Sequence, residues 1–237
     1  MTASGNARRE ILARIREALR VPVPDHTVPR DYLRTISPEV DAIELFAARV
    51  ADYHATVIRA TSADLPSGVA AALRQRGVRT LVIPPGLPTA WLSEAVVDQL
   101  PDSPPLSRAA LDHADGVITG CAVAIAETGT IVLDAGSGQG RRALSLLPDY
   151  HLCIVRTGQL VGDVPEAMGA LDPRRPLTWI SGPSATSDIE LQRVEGVHGP
   201  RILDIVLVDE SGAGRRWPDA MSNVTRGTRR DPARRRY

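Results

Sequence analysis

The chain has 237 residues, 43% hydrophobic and 24% charged, with 28 basic residues balancing 28 acidic ones. That is an ordinary globular composition with enough apolar material for one sizeable core. Every basic residue is Arg, which excludes lysine Schiff bases and a P-loop, and the few aromatics argue against a stacking platform for nucleic acid.

In chain order, residues 7–20 place Ile11, Leu12, Ile15, Ala18 and Leu19 at helical spacing, with Arg and Glu between them. This predicts an amphipathic helix rather than the continuous apolar core of a signal peptide. Pro22, Pro24 and Pro29 then forbid its continuation. No apolar run reaches the ~18 residues that a bilayer span needs, so a cytoplasmic protein without a membrane partner is expected. Residues 1–36 read as helix plus Pro-rich linker, 37–210 as an α/β domain, and 211–237 as a tail.

From residue 37 helices and strands alternate. Helices are predicted over 38–51, 63–76 (with Gly77 as C-cap) and 89–99, and strands over 55–59 and 80–83. This spacing gives a parallel sheet covered on both faces. Residues 122–126 alternate small and large: one face admits a close neighbour and the other fills a core. A strand over 130–134 follows after Thr128-Gly129, and so short a connection must be antiparallel. The sheet is therefore expected to be mixed. Further on come the Gly-rich loop 136–140, a helix over 141–147, a strand over 152–156, a helix over 165–171 and a strand over 177–180. Ser187-Asp188-Ile189-Glu190 has capping-box spacing and predicts a short helix ending at Gly196. The last strand is predicted over 202–208.

Cys121 and Cys153 lie in apolar stretches with no CxxC context. Two cysteines cannot supply the four ligands of an iron–sulfur cluster or a Cys₄ zinc site. The tail from 213 to 237 holds eight Arg and two Asp. A basic arm and a solvated terminus both account for it.

Three constellations can carry chemistry. Ala126-Glu127-Thr128-Gly129-Thr130 puts a carboxylate beside a tight turn, where it can act as nucleophile or base, or simply sit at the surface. Ser181-Gly182-Pro183-Ser184-Ala185-Thr186-Ser187-Asp188 lies between a strand end and the expected helix. Ser184 and Thr186 suit a hydroxyl-bearing ligand there, or a carboxylate clamped with help from Arg201. Gly196-Val197-His198-Gly199-Pro200-Arg201 offers a histidine usable as acid or base, with plain turn formation as the alternative. The 136–140 loop lacks a dinucleotide fingerprint. His151, before an apolar run, reads as structural. No metal site is expected.

These three motifs, in this order, resemble the LUD-domain family, in particular its lactate utilisation protein C group, over residues 7–208. The resemblance implies a three-layer α/β/α fold with a mostly parallel mixed sheet, similar to the NagB/RpiA/CoA-transferase-like superfamily. It also implies a part in oxidising L-lactate to pyruvate beside partner proteins that carry iron–sulfur clusters, with no cofactor in this chain. Glu127, His198 and Asp188 are the expected catalytic residues. Thr128, Gly129, Ser184, Thr186 and Arg201 are the expected contacts to a small hydroxy acid such as lactate. Two alternatives stay open: an acyl- or CoA-transfer enzyme with Glu127 as nucleophile, and a non-catalytic metabolite-binding module.

Overall fold

The computed structural model describes residues 3–20, 41–187, 193–195 and 199–210. The chain divides into two units, residues 1–32 and 33–237. In the first, α1 (Ala3–Ala18) realises the amphipathic pattern, with Arg14 reaching back to Glu10 at 2.7 Å. The Pro-rich linker over 21–36 and the Arg-rich tail lie outside the described residues.

The second unit is an α/β fold. Its centre is a six-stranded sheet in which every neighbouring pair is parallel, ordered β1-β12-β7-β4-β2-β3. The strands are β1 (Thr56–Thr61), β2 (Thr80–Ile83), β3 (Asp98–Pro101), β4 (Gly116–Thr119), β7 (Tyr150–Arg156) and β12 (Ile202–Asp209). Both faces are covered, so the inner strands read as near-continuous apolar runs. On β12, Val206 and Val208 face one side and Leu203, Ile205 and Leu207 the other.

The first side packs on α3 (Leu65–Arg76) through Leu65, Val69, Ala72 and Leu73. Pro66 sits in its first turn, and Gly77, at φ +68°, ends it as expected. Against the other side lies α2 (Ala42–Asp52), capped by Asp41, whose carboxylate accepts from the N–H of Ile43 and Glu44. Phe46 and Val50 of α2 are fully buried; each such side chain contributes about 1.5–3 kcal/mol.

The antiparallel pair does not join the main sheet. It is β5 (Val123–Ile125) and β6 (Thr130–Leu133), which with β8 (Leu160–Val161) and β9 (Thr178–Ile180) form a second, four-stranded sheet ordered β8-β5-β6-β9. The small/large alternation explains the stacking. Ala124 and Ala126 face the main sheet, while Val123 and Ile125 pack outward under α5 (Val164–Ala170).

Two predicted helices are replaced. Residues 89–99 form a single 3₁₀ turn (Thr89–Leu92) and then β3, which extends the sheet edge in register with β2. Pro101 is tolerated at an edge, where no partner needs its missing N–H. Residues 141–147 reduce to the 3₁₀ turn Arg142–Ser145. Of the short helix predicted from Ser187 to Gly196, Ser187 ends β10 (Ala185–Ser187), which pairs antiparallel with β11 (Arg193–Glu195), while residues 188–192 and 196 lie outside the described residues. Between β3 and β4, α4 (Arg108–His113) is capped by Ser107, whose hydroxyl accepts from Ala110 N–H at 3.1 Å. No helix among the described residues is long and apolar enough to cross a membrane.

Candidate substrate cleft

The C-terminal half of α2 is a platform on which two of the motifs rest. Gly129, in the β5–β6 turn, has φ +59°, and a Cβ there would lie 2.8 Å from backbone atoms of Arg49 and Val50. Gly182, after β9, has φ +89°, and its Cβ would lie 2.5 Å from that of Tyr53. Both positions need glycine twice over, for backbone conformation and for space. Hydroxyl contacts then join the motifs: Thr128 Oγ1 to Thr130 Oγ1 at 2.7 Å, and Thr130 Oγ1 to Ser181 Oγ at 2.7 Å. The second motif is tied to the third, because Ser184 N–H donates to the Pro200 carbonyl at 2.8 Å.

Between these loops and the main sheet lies a cleft of about 230 Å³. Ser181–Ser184 and Gly199-Pro200 form one wall, Ser145 and Leu146 another, and His151 and Leu203 belong to the sheet. His151 and Leu203 sit near the N-terminal ends of β7 and β12, in register with one another. Among the described residues its lining carries no charged side chain. Arg142 stands just behind it, donating to Thr178 Oγ1 and to the Leu177 carbonyl.

His151 is fully buried. Its Nε2 is 2.8 Å from Thr119 Oγ1, and its Nδ1 has no hydrogen-bond partner. Burial alone pushes its pKa down to about 4, so the ring is neutral at physiological pH. Such an orphaned polar atom calls for an explanation, since most buried polar groups are paired.

Of the expected site residues, Ser184 lines the cleft. Thr128 and Gly129 form the adjoining turn. Glu127 is exposed on that turn, outside the cleft lining, and its N–H donates to the Gly162 carbonyl at 3.0 Å. Thr186 lies on β10 opposite Val194. Arg201 makes a two-point ion pair with Asp149, so its guanidinium is engaged by the protein's own carboxylate. Asp188 and His198 lie outside the described residues. His151 was readable only as a structural histidine. The signal for it was parity: it shares the inward face of Cys153 and Val155, a polar residue at a core position.

The Gly-rich loop lies elsewhere. Crossovers leave β2 toward β3 and β4 toward β12, so the strand order reverses between β2 and β4. At their carboxyl ends, where open α/β sheets commonly bind ligands, Gly138 N–H donates to Pro85 and its carbonyl accepts from Gly120 N–H. The loop is thus bonded across the crevice. Beside it Arg141 holds Asp102 through two bonds, keeping that carboxyl below its usual range. Cys121 and Cys153 are buried and free, and hydrogen bonding to Cys153 together with burial pushes the Cys121 thiol well up, away from thiolate reactivity.

A family model described as LUD domain matches residues 43–208. A protein named lactate utilization protein C from Deinococcus radiodurans is 46% identical over 210 residues, covering 87% of this chain and 97% of the relative. A protein of the same name from an Exiguobacterium species is 30% identical over 194 residues, covering 77% of this chain and 84% of the relative. The crystal structure of a DUF162-family protein from Deinococcus radiodurans superposes with a TM-score of 0.61 at 45% identity, covering 70% of this chain and 96% of that one. The chain described here belongs to the LUD-domain family, in its lactate utilization protein C group.

Proposed function

We propose that this chain is a substrate-handling subunit in the oxidation of L-lactate to pyruvate, working in the cytoplasm with iron–sulfur partner proteins. The observation that carries this reading is the near full-length match to a lactate utilization protein C. The cleft supports it. A volume of about 230 Å³ is below the ~300–1,000 Å³ of sites for drug-sized ligands and suits a three-carbon acid. The composition supports electron carriers on other polypeptides. Oxidising lactate moves two electrons, and this chain offers two cysteines and no dinucleotide fingerprint. Its own residues then bind and orient the acid and shield it from water.

Two experiments test this together. Deleting the gene is expected to abolish growth on L-lactate. The purified chain with a dye acceptor is expected not to oxidise lactate until the iron–sulfur partners are added. Lactate turnover by this polypeptide alone, or undiminished growth of the deletion strain, contradicts the proposal.

A further inference from the structure

We propose that His151 anchors the ligand of the cleft, its Nδ1–H donating to an acceptor oxygen of a small 2-oxo or 2-hydroxy carboxylate. This rests on the reading of the cleft as the substrate-handling site and adds to it the contacting atom and the ligand class.

Thr119 and His151 are both fully buried, and among the described residues the Thr119 hydroxyl makes one hydrogen bond, to His151 Nε2 at 2.8 Å. A neutral imidazole carries one N–H. If Nε2 carried it, Nε2–H would donate to Thr119, and both the Thr119 hydroxyl hydrogen and the Nδ1 lone pair would be left over. If Nδ1 carries it, the Thr119 hydroxyl donates to Nε2 and a single group remains unmatched, the Nδ1–H. Fewer orphaned groups favour the second arrangement. Nδ1 is the buried side-chain atom without a partner among the described residues. It is therefore a donor without an acceptor, in a ring that forms part of the cleft wall.

The surroundings select the acceptor. Leu146, Ile180 and Leu203 offer apolar contact, and Ser181 and Ser184 bring hydroxyls. The lining, among the described residues, holds no cation, so a doubly charged phosphate ester would be poorly compensated. One carboxylate with a neighbouring keto or hydroxyl oxygen asks less: neutral donors, and the field of Arg142 behind Thr178. Size points the same way, toward a few heavy atoms.

The test uses the full chain labelled with 15N-histidine, with pyruvate, L-lactate and inorganic phosphate as probes. Long-range 1H–15N spectra of the free protein are expected to show His151 protonated at Nδ1. Pyruvate or lactate is expected to move that resonance while phosphate leaves it in place. By calorimetry, His151→Gln, whose amide reaches the Nε2 position, is expected to weaken pyruvate binding roughly 10- to 100-fold. His151→Asn, whose amide falls near Nδ1, keeps most of it. A merely structural histidine would not separate the two variants, and if either fails to fold, the wild-type spectra decide. An Nε2–H tautomer, unmoved His151 signals at saturating pyruvate and lactate, or wild-type affinity in His151→Gln overturns the proposal. Loss of lactate growth on deletion, combined with any of those results, sinks the anchor alone. Normal growth sinks the functional reading even where pyruvate binds.

Discussion

Replacing Gly129 with Ala tests whether the turn that carries Glu127 is seated on α2. Two penalties add. At φ +59° a side chain costs about 1–2 kcal/mol in the left-handed region. The new Cβ would also fall 2.8 Å from the Arg49 carbonyl carbon and the Val50 nitrogen, helix backbone that cannot swing aside. Overpacking of that kind adds about 1–3 kcal/mol. The sum is a loss of about 2–5 kcal/mol. Gly77→Ala is the internal control, because φ there is +68° but nothing lies within 4 Å of the added Cβ. It isolates the conformational part. Gly169→Ala, in α5 with open space around it, is expected to gain about 0.5–1 kcal/mol. Urea unfolding at constant m-value measures all three. A Gly129→Ala loss no larger than that of Gly77→Ala would refute the close seating of the turn on α2.

Other consequences follow from the same geometry. Because His151 is neutral when folded, with a pKa of about 4 against 6.5 when free, the unfolded state binds the extra proton between those values. Stability is thus full above pH 6.5 and falls as pH drops toward 4, by about 3 kcal/mol from this group. His151→Gln should flatten that part of the stability–pH curve; an unchanged curve refutes the assignment. Arg76→Ala strands the buried Asp204 carboxylate, which Arg76 grips with two bonds of 2.6 and 2.9 Å while Tyr150 donates at 3.1 Å. A loss of about 3 kcal/mol is expected by chemical unfolding, and a neutral result would show that water reaches the carboxylate. Breaking the exposed Asp149–Arg201 pair by Asp149→Asn should leave the melting temperature unchanged, and a clear drop would contradict its surface character.

Much of the fold was legible because its signals are local and agree. The strand over 80–83 ends at Pro84-Pro85-Gly86, and Gly77 closes the preceding helix; each is written in adjacent residues. The alternation over 122–126 gave the two-faced strand, but not that a second sheet receives its hairpin, since pairing partners such as Trp179 lie far along the chain. The Ser187–Glu190 spacing pointed to a helix, whereas Ser187 itself pairs with Arg193 at the end of a strand, a cross-strand partner about which a four-residue pattern says nothing. The four buried residues of β4 are too few to show a period. At the site, the convergence of Ser181–Ser184 with Gly199-Pro200 rests on tight turns that the glycines marked. His151 did not announce itself, since only the depth of the sheet makes its unpaired nitrogen unusual.

The proposed ligand site lies at the N-terminal rim of the main sheet, and a crystal structure of the full chain with pyruvate would locate the ligand. Pyruvate is expected between Ser184 and Leu203, with one oxygen in hydrogen-bond reach of His151 Nδ1. Pyruvate at the carboxyl ends of β2 and β4, beside Arg141 and the Gly-rich loop, would contradict it.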